Sequence, residues 1–284
     1  MRLRNATAEL YVPDGRPEGE ALRRTTHMGV AAHQDDLEIM AYHGILACYA
    51  RSDRWFLGVT VTDGAGSARD GLYAKFTDEE MRAIRRQEQK KAAAIGEYAA
   101  IVLLDYTSGS VKDPARREAI EDLKELFLAA RPEAVYTHNP ADKHDTHVAV
   151  ALRTIQALRE LPAEVRPARL YGCEVWRDLD WLVDEDKVAL RVDAHENLAA
   201  ALLGVFDSQI CGGKRYDLAT LGRRRAHATY HSSHGVDDTA GLTFAMDLTP
   251  LVADPGLSVG AYVAAFQERF LREVAARLER LGRE

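Results

Sequence analysis

The sequence predicts an α/β fold of the Rossmann-like, three-layer type: a mostly parallel sheet with helices on both faces and an elaborated C-terminal third. Three observations lead to this. Short apolar runs bounded by polar residues alternate with longer stretches whose apolar residues recur at helical spacing. That β-α-β-α rhythm fits parallel strands joined by helical crossovers. Polar segments rich in His and Asp directly follow the strands, at the carboxyl ends where such sheets bind ligands.

The elements follow in order. Residues 1–24 read as an arm or edge strand ahead of the core. HMGVAA (27–32) is a short apolar run and predicts a buried strand. Residues 36–51 predict a helix. WFLGVTV (55–61), β-branched and aromatic, predicts a second strand. TDGAGSARDGLY (62–73) is a glycine-rich loop. Thr77 or Asp78 caps a helix running to about residue 96, with Glu79 and Glu80 in its favourable first turn. IVLLDY (101–106) is a third strand, and Asp113 with Pro114 is expected to open the next helix. EAVYTH (133–138) is a fourth strand and 147–160 a helix. Strands are expected at 169–176 and 188–194, and helices at 195–207 and 258–281. The whole reads as one domain over 1–284: the 1–24 arm, a βα core over 25–160, and 161–284 with the remaining strands, a basic and aromatic segment and a C-terminal helix.

Composition narrows the function classes. The 284 residues bury a sizeable core without disulfides. A formal net charge of −7 gives no general attraction for nucleic acid or an anionic membrane, so neither is an expected partner. Cys48, Cys173 and Cys211 show no CxxC spacing and read as reduced thiols. The first thirty residues carry both charge signs and no signal-peptide run, and no stretch approaches the roughly 20 apolar residues of a membrane span. A cytoplasmic location is expected.

The chemistry concentrates in two clusters. His33, Gln34, Asp35 and Asp36 follow the first strand. Four polar residues at a buried strand end cost free energy unless something uses them, and a divalent metal would. His33 and Asp36 are three apart, so one turn can aim both at a point, while Asp35 projects elsewhere. The second cluster holds His138, Asp142, His144, Asp145 and His147. One His and one Asp from the first cluster with one His from the second make a two-His-one-carboxylate set with an open position for water. The bland alternative is that each is a helix cap or a satisfied polar residue.

AHQDDLE (32–38) resembles the AHPDDE signature of the LmbE-like, PIG-L-type zinc N-deacetylases, the GlcNAc-PI de-N-acetylase family. HDTH (144–147) resembles that family's HPDH element, TDG (62–64) its T-x-G loop, and Arg85 to Glu88 ahead of AAAIG its R-x-x-E helix. DSQ (207–209) resembles its late H-x-S-Q. The resemblance implies a metal-dependent amide hydrolase that removes an N-acetyl or other N-acyl group from an N-acetylglucosamine-type sugar or conjugate. It implies zinc, or ferrous iron in the cell, held by His33, Asp36 and His147. Asp35 is then the general base, and His144 stabilises the oxyanion or protonates the leaving amine. Arg85 matches the substrate-binding arginine, and Asp145 is a second candidate there. Gln34 replaces the usual proline. Thr146 stands where the family has a carboxylate, leaving Asp145 or Asp142 to tune His144; Phe206 and Asp207 replace the late histidine. The Thr146 change motivates a second reading, a catalytically degenerate sugar- or metal-binding protein of the same fold. A nucleotide-binding oxidoreductase lacks its glycine fingerprint here.

Four other features carry weaker signals. GAGSARDG (64–71) lacks a P-loop lysine and reads as an active-site loop. The tract 208–235, with Lys214, Arg215 and Arg223 to Arg225, reads as a solvated basic face, with a phosphorylated-sugar pocket or an interface as the sharper readings. Trp55, Trp176 and Trp181 read as core or rim, with stacking of Trp176 or Trp181 on a sugar ring as the sharper reading. The C-terminal helix caps the domain or, more sharply, joins a homo-oligomer.

Overall fold

The computed structural model describes residues 3–282; positions 1–2 of the expected arm and 283–284 lie outside the described residues. The strands are β1 (Glu9–Tyr11), β2 (His27–Ala31), β3 (Phe56–Thr62), β4 (Ala100–Tyr106), β5 (Ala134–His138), β6 (Arg169–Cys173), β7 (Val188–Arg191) and β8 (Leu242–Asp247). They form a sheet in the order β1-β4-β3-β2-β5-β6-β8-β7. The run from β4 through β3, β2 and β5 to β6 is parallel. β1 adds antiparallel at one edge, and β8 and β7 add antiparallel pairings at the other.

Every residue of β2, β3 and β5 is buried, as continuous apolar runs require when both sheet faces are covered. Side chains alternate between two cores. Met28, Val30, Leu57, Val59 and Val102 enter one; Phe56, Ile101 and Leu103 enter the other. Each such fully buried side chain contributes about 1.5–3 kcal/mol. The helix Asp78–Ile95 begins at Thr77, whose hydroxyl accepts the Glu80 N–H while the Glu80 carboxylate accepts the Thr77 N–H. That reciprocal cap fixes where the helix starts.

Several elements differ from expectation. The helix expected over 36–51 breaks at Ala41 into Asp36–Met40 and Tyr42–Cys48. Pro114 does not open a helix. A short helix, Ser108–Lys112, ends before it and the next runs Glu118–Ala130. Arg153 explains the break: its guanidinium donates to the carbonyls of Val111 and Asp113, taking acceptors that a continuing helix would need. The edge strand expected in the arm is β1, followed by a helix, Glu18–Arg23. The basic tract contains an ordered helix, Tyr216–Tyr230, rather than a wholly solvated face, and β8 was not foreseen. The helix Val259–Leu281 buries Phe266 and leaves Leu271, Leu278 and Leu281 exposed. Among the described residues no helix is long and apolar enough to cross a membrane.

The chain builds β3 and β4 to one side of β2, then returns to lay β5 and β6 on the other. The crevice between β2 and β5 is therefore the topological switch point where ligands bind. His33 to Asp36 leave β2 there, and 139–147 leave β5 there.

Candidate active site

The turn after β2 is held against its own preference. Asp35 has φ 94, a left-handed conformation that non-glycine residues rarely adopt. Neighbours fix it: the Gln34 side-chain amide donates to the Thr62 carbonyl (3.1 Å), and Arg85 donates to the Gln34 carbonyl. The turn points Asp36 inward, where its Oδ2 accepts the His33 N–H at 2.8 Å. On the other strand, His144 caps the helix Asp145–Arg159, which places His147 one turn in.

Three donors from these two segments converge. His33 Nδ1 lies 3.2 Å from Asp36 Oδ2 and 3.2 Å from His147 Nε2. His147 Nε2 lies 3.3 Å from Asp36 Oδ2. Ligands about 2.0–2.1 Å from a tetrahedral zinc stand about 3.3–3.4 Å apart, so this triangle fits the ion. His138 is close, with Nε2 at 3.5 Å from Asp36 Oδ2. However, that nitrogen accepts the Ala32 N–H at 2.9 Å, so its lone pair is taken. His138 instead stacks on His147, ring centroids 3.9 Å apart. Behind His147, Asp142 Oδ2 lies 3.3 Å from Nδ1. Such a carboxylate selects the tautomer that leaves Nε2 free for a metal.

The electrostatics suit a cation. Burial disfavours a charged His147, but Asp36 and Asp142 outweigh it and push the imidazole up to about 9. Burial also opposes ionisation of Asp36, yet His147 and His138 hold its carboxyl well below the usual range. Asp35 faces the opposite balance: burial pushes it well up, and Arg85, 3.7 Å away, only partly offsets this. His33 is lowered to about 4 by burial.

The cluster opens into a cavity of about 380 Å³. His33, Asp35, Asp36, Arg85 and His144 line it. His144 is half-buried, and its Nδ1 has no hydrogen-bond partner among the described residues. Arg85 is buried, and its guanidinium also reaches Ser67 Oγ in the glycine-rich loop. Glu88, one turn on, accepts both the N–H (2.8 Å) and the hydroxyl (2.6 Å) of Ser208, joining two of the motif segments. Asp145 is exposed and is not among the lining residues. Asp142 Oδ1 accepts the His144 backbone N–H (3.1 Å), so its contacts reach the His147 ring and the His144 backbone. Sequence reasoning missed Ser108 and Val175 as lining residues, whereas Lys214 and Tyr216 come from the basic and aromatic tract for which a pocket was one reading. The helical form of that tract was hidden by its high charge.

A family model described as PIG-L, GlcNAc-PI de-N-acetylase, matches residues 28–158. The match runs from β2 to the helix of His147, a little under half of the chain, and takes in all three converging donors. No curated protein matches the chain. Among solved structures, GalB, the 4-carboxy-2-hydroxymuconate hydratase of Pseudomonas putida KT2440, is similar at 16% identity, covering 79% of this chain and 96% of that one, TM-score 0.60. The N,N'-diacetylchitobiose deacetylase of Pyrococcus horikoshii is similar at 18% identity, covering 78% and 83%, TM-score 0.58. The A40926 pseudoaglycone deacetylase Dbv21 is similar at 16% identity, covering 79% and 97%, TM-score 0.57. At such identities the likeness is one of fold.

Proposed function

We propose that this protein is a zinc-dependent N-deacetylase acting on an N-acetylglucosamine-type sugar or conjugate. The observation that carries the reading is the triangle of His33 Nδ1, Asp36 Oδ2 and His147 Nε2 beside a carboxylate outside the triangle, Asp35, in one cleft. The PIG-L match over 28–158 and the deacetylase names of two fold relatives support the reaction class.

His33, Asp36 and His147 would hold the ion. Bound zinc supplies a Lewis acid for the acetyl carbonyl and a water that ionises near pH 7. Asp35, held by burial at a raised pKa, is placed to accept a proton from the attacking water. His144 faces the cleft and delivers a proton to the departing amine, which avoids expelling an amide anion. Arg85 is engaged by Gln34, Ser67 and Asp35, so its part is to fix the base and the loop at least as much as to touch substrate. Cys48 and Cys173, buried as free thiols, agree with a cytoplasmic enzyme.

GalB has this fold under the name of a hydratase, so acetate release rather than fold decides the reaction. The deciding experiment is elemental analysis of the purified protein together with acetate release from N-acetylated amino sugars, with and without chelator. About one metal per chain and chelator-sensitive release are expected. Bound metal with no release from any substrate would favour the degenerate binding protein. Failure to take up zinc or ferrous iron would overturn the metal-dependent hydrolase and leave a sugar-binding protein of this fold.

A further inference from the structure

The reaction leaves Glu38 without a task, yet its side chain is wholly buried two residues past Asp36. No Lys, Arg or His nitrogen stands within 4.0 Å of its carboxylate among the described residues, and its Oε2 has no hydrogen-bond partner there. Burying a carboxyl without a cation is costly, and such a group calls for an explanation. Two buried donors meet its Oε1: the Tyr98 hydroxyl at 2.8 Å and the Gln89 side-chain amide at 2.9 Å. Gln89 turns its other end outward, and its Oε1 accepts the Asp35 backbone N–H at 3.4 Å. Both neighbours demand that orientation, since the N–H only donates and the carboxylate oxygen accepts.

Gln89 works beside Arg85. The two are four apart on the helix Asp78–Ile95 and therefore share a face. Arg85 donates to the Gln34 carbonyl, and Gln89 accepts the Asp35 N–H. That carbonyl and that N–H belong to one planar peptide unit. The plane is thus held at both edges from a single helix. Turned over, it would carry Asp35 from φ 94 toward the ordinary negative range that a non-glycine backbone prefers. A strained conformation of this kind persists only where its surroundings over-determine it.

We propose that Gln89, braced by Glu38 and Tyr98, is a positioning residue: with Arg85 it keeps the Gln34–Asp35 peptide from turning over, and so holds the Asp35 carboxylate at the attacking water. The effect on turnover rests on the deacetylase reading; the clamp on the peptide does not.

Two measurements on the full-length protein test this. The first is hydrogen exchange at the Asp35 amide, followed by NMR, which needs no turnover. Gln89→Met keeps the length of the side chain and removes the amide. Exchange at Asp35 should then speed up about tenfold or more, while the Ala92 and Ala93 amides of the same helix keep their wild-type rates and report an intact fold. The second is acetate release by the metal-loaded protein. In Gln89→Met, kcat should fall about tenfold or more with KM and metal content unchanged, because a misplaced base costs rate and not binding. Q89E alone sets two buried carboxyls together and should also be slow. The E38Q/Q89E double variant reverses donor and acceptor between the two positions and still offers an oxygen to the Asp35 N–H, so it should restore most of kcat and the slow exchange. Unchanged exchange at Asp35 in Gln89→Met would overturn the clamp. Faster exchange with an unchanged kcat would overturn the positioning role. Faster exchange with no acetate released even by the wild type would sink the deacetylase reading and leave the clamp standing.

Discussion

Asp142 Oδ2 stands 3.3 Å from Nδ1 of His147, on the opposite side of the imidazole from the nitrogen that meets Asp36 and His33. It also accepts the Trp176 backbone N–H at 3.2 Å, so the carboxylate is fixed from two sides. This contact supplies the histidine with a carboxylate although Thr146 precedes it in sequence. Losing such a partner lowers metal affinity about 10–100-fold. Asp142→Ala is expected to show that drop in competition with a zinc-binding dye. Wild-type affinity in the variant would take Asp142 out of the metal's support.

Asp35 and Asp36 are adjacent but face different tasks. Asp36 closes the donor triangle, whereas Asp35 stands 3.7 Å from Arg85 and is not part of it. Asp35→Asn, a residue that tolerates the positive φ, should keep stoichiometric metal and lose about 10²–10⁴-fold in turnover. His147→Ala should instead lose the metal. Elemental analysis and acetate release on both proteins separate the two roles; full turnover in Asp35→Asn would end its assignment as base.

Gly64 holds φ +73, and a Cβ there would run into the Gln34 side-chain amide and lie 3.0 Å from Arg85 Cδ. Both of those side chains brace the turn that carries Asp35. Gly64→Ala should therefore lower kcat about tenfold or more while metal content stays near one per chain, because a misplaced base costs rate without removing a ligand. A variant with normal kcat would show that the loop and turn move independently.

The central strands and the two motif turns were legible because their signals are local. β2, β3 and β5 are uninterrupted apolar runs, and HQDD and HDTH are compact. What escaped was determined at long range. Arg153 takes the carbonyls of Val111 and Asp113 from 40 or more residues away, so Pro114 sits in a turn and not at a helix start. Arg224 reads as part of a solvated basic run, yet it is buried and donates to the carbonyls of Glu38 and Ile39. Trp176 reads as core or rim ahead of a sugar platform until the fold brings His144, Lys143 and Lys214 to it.

The most consequential of these long-range contacts outside the site is Glu174. It is buried just after β6 and accepts backbone N–H groups from Leu179 (2.9 Å) and Phe244 (2.9 Å), the Thr243 hydroxyl (3.1 Å) and His227 Nε2 (3.0 Å). One carboxylate thus ties β6, β8 and the helix Tyr216–Tyr230 together. Removing it strands buried donors, and Glu174→Ala should lose about 3–5 kcal/mol of stability. The pH dependence has a definite sign. Burial pushes the Glu174 carboxyl up, but His227 and the Phe244 N–H outweigh that and hold it below its ordinary value. A carboxyl lowered on folding contributes its stability in full above the unfolded pKa, about 4.3, and loses it as pH falls through the folded pKa. The stability gap between wild type and Glu174→Gln should therefore shrink as pH drops below about 4. Urea unfolding of both proteins at pH 7, 5 and 3.5 measures it. A gap that widened on acidification would mean that the carboxylate is strained in the folded protein, and that the sheet edge is held by packing of Phe244 and its neighbours and not by this charge.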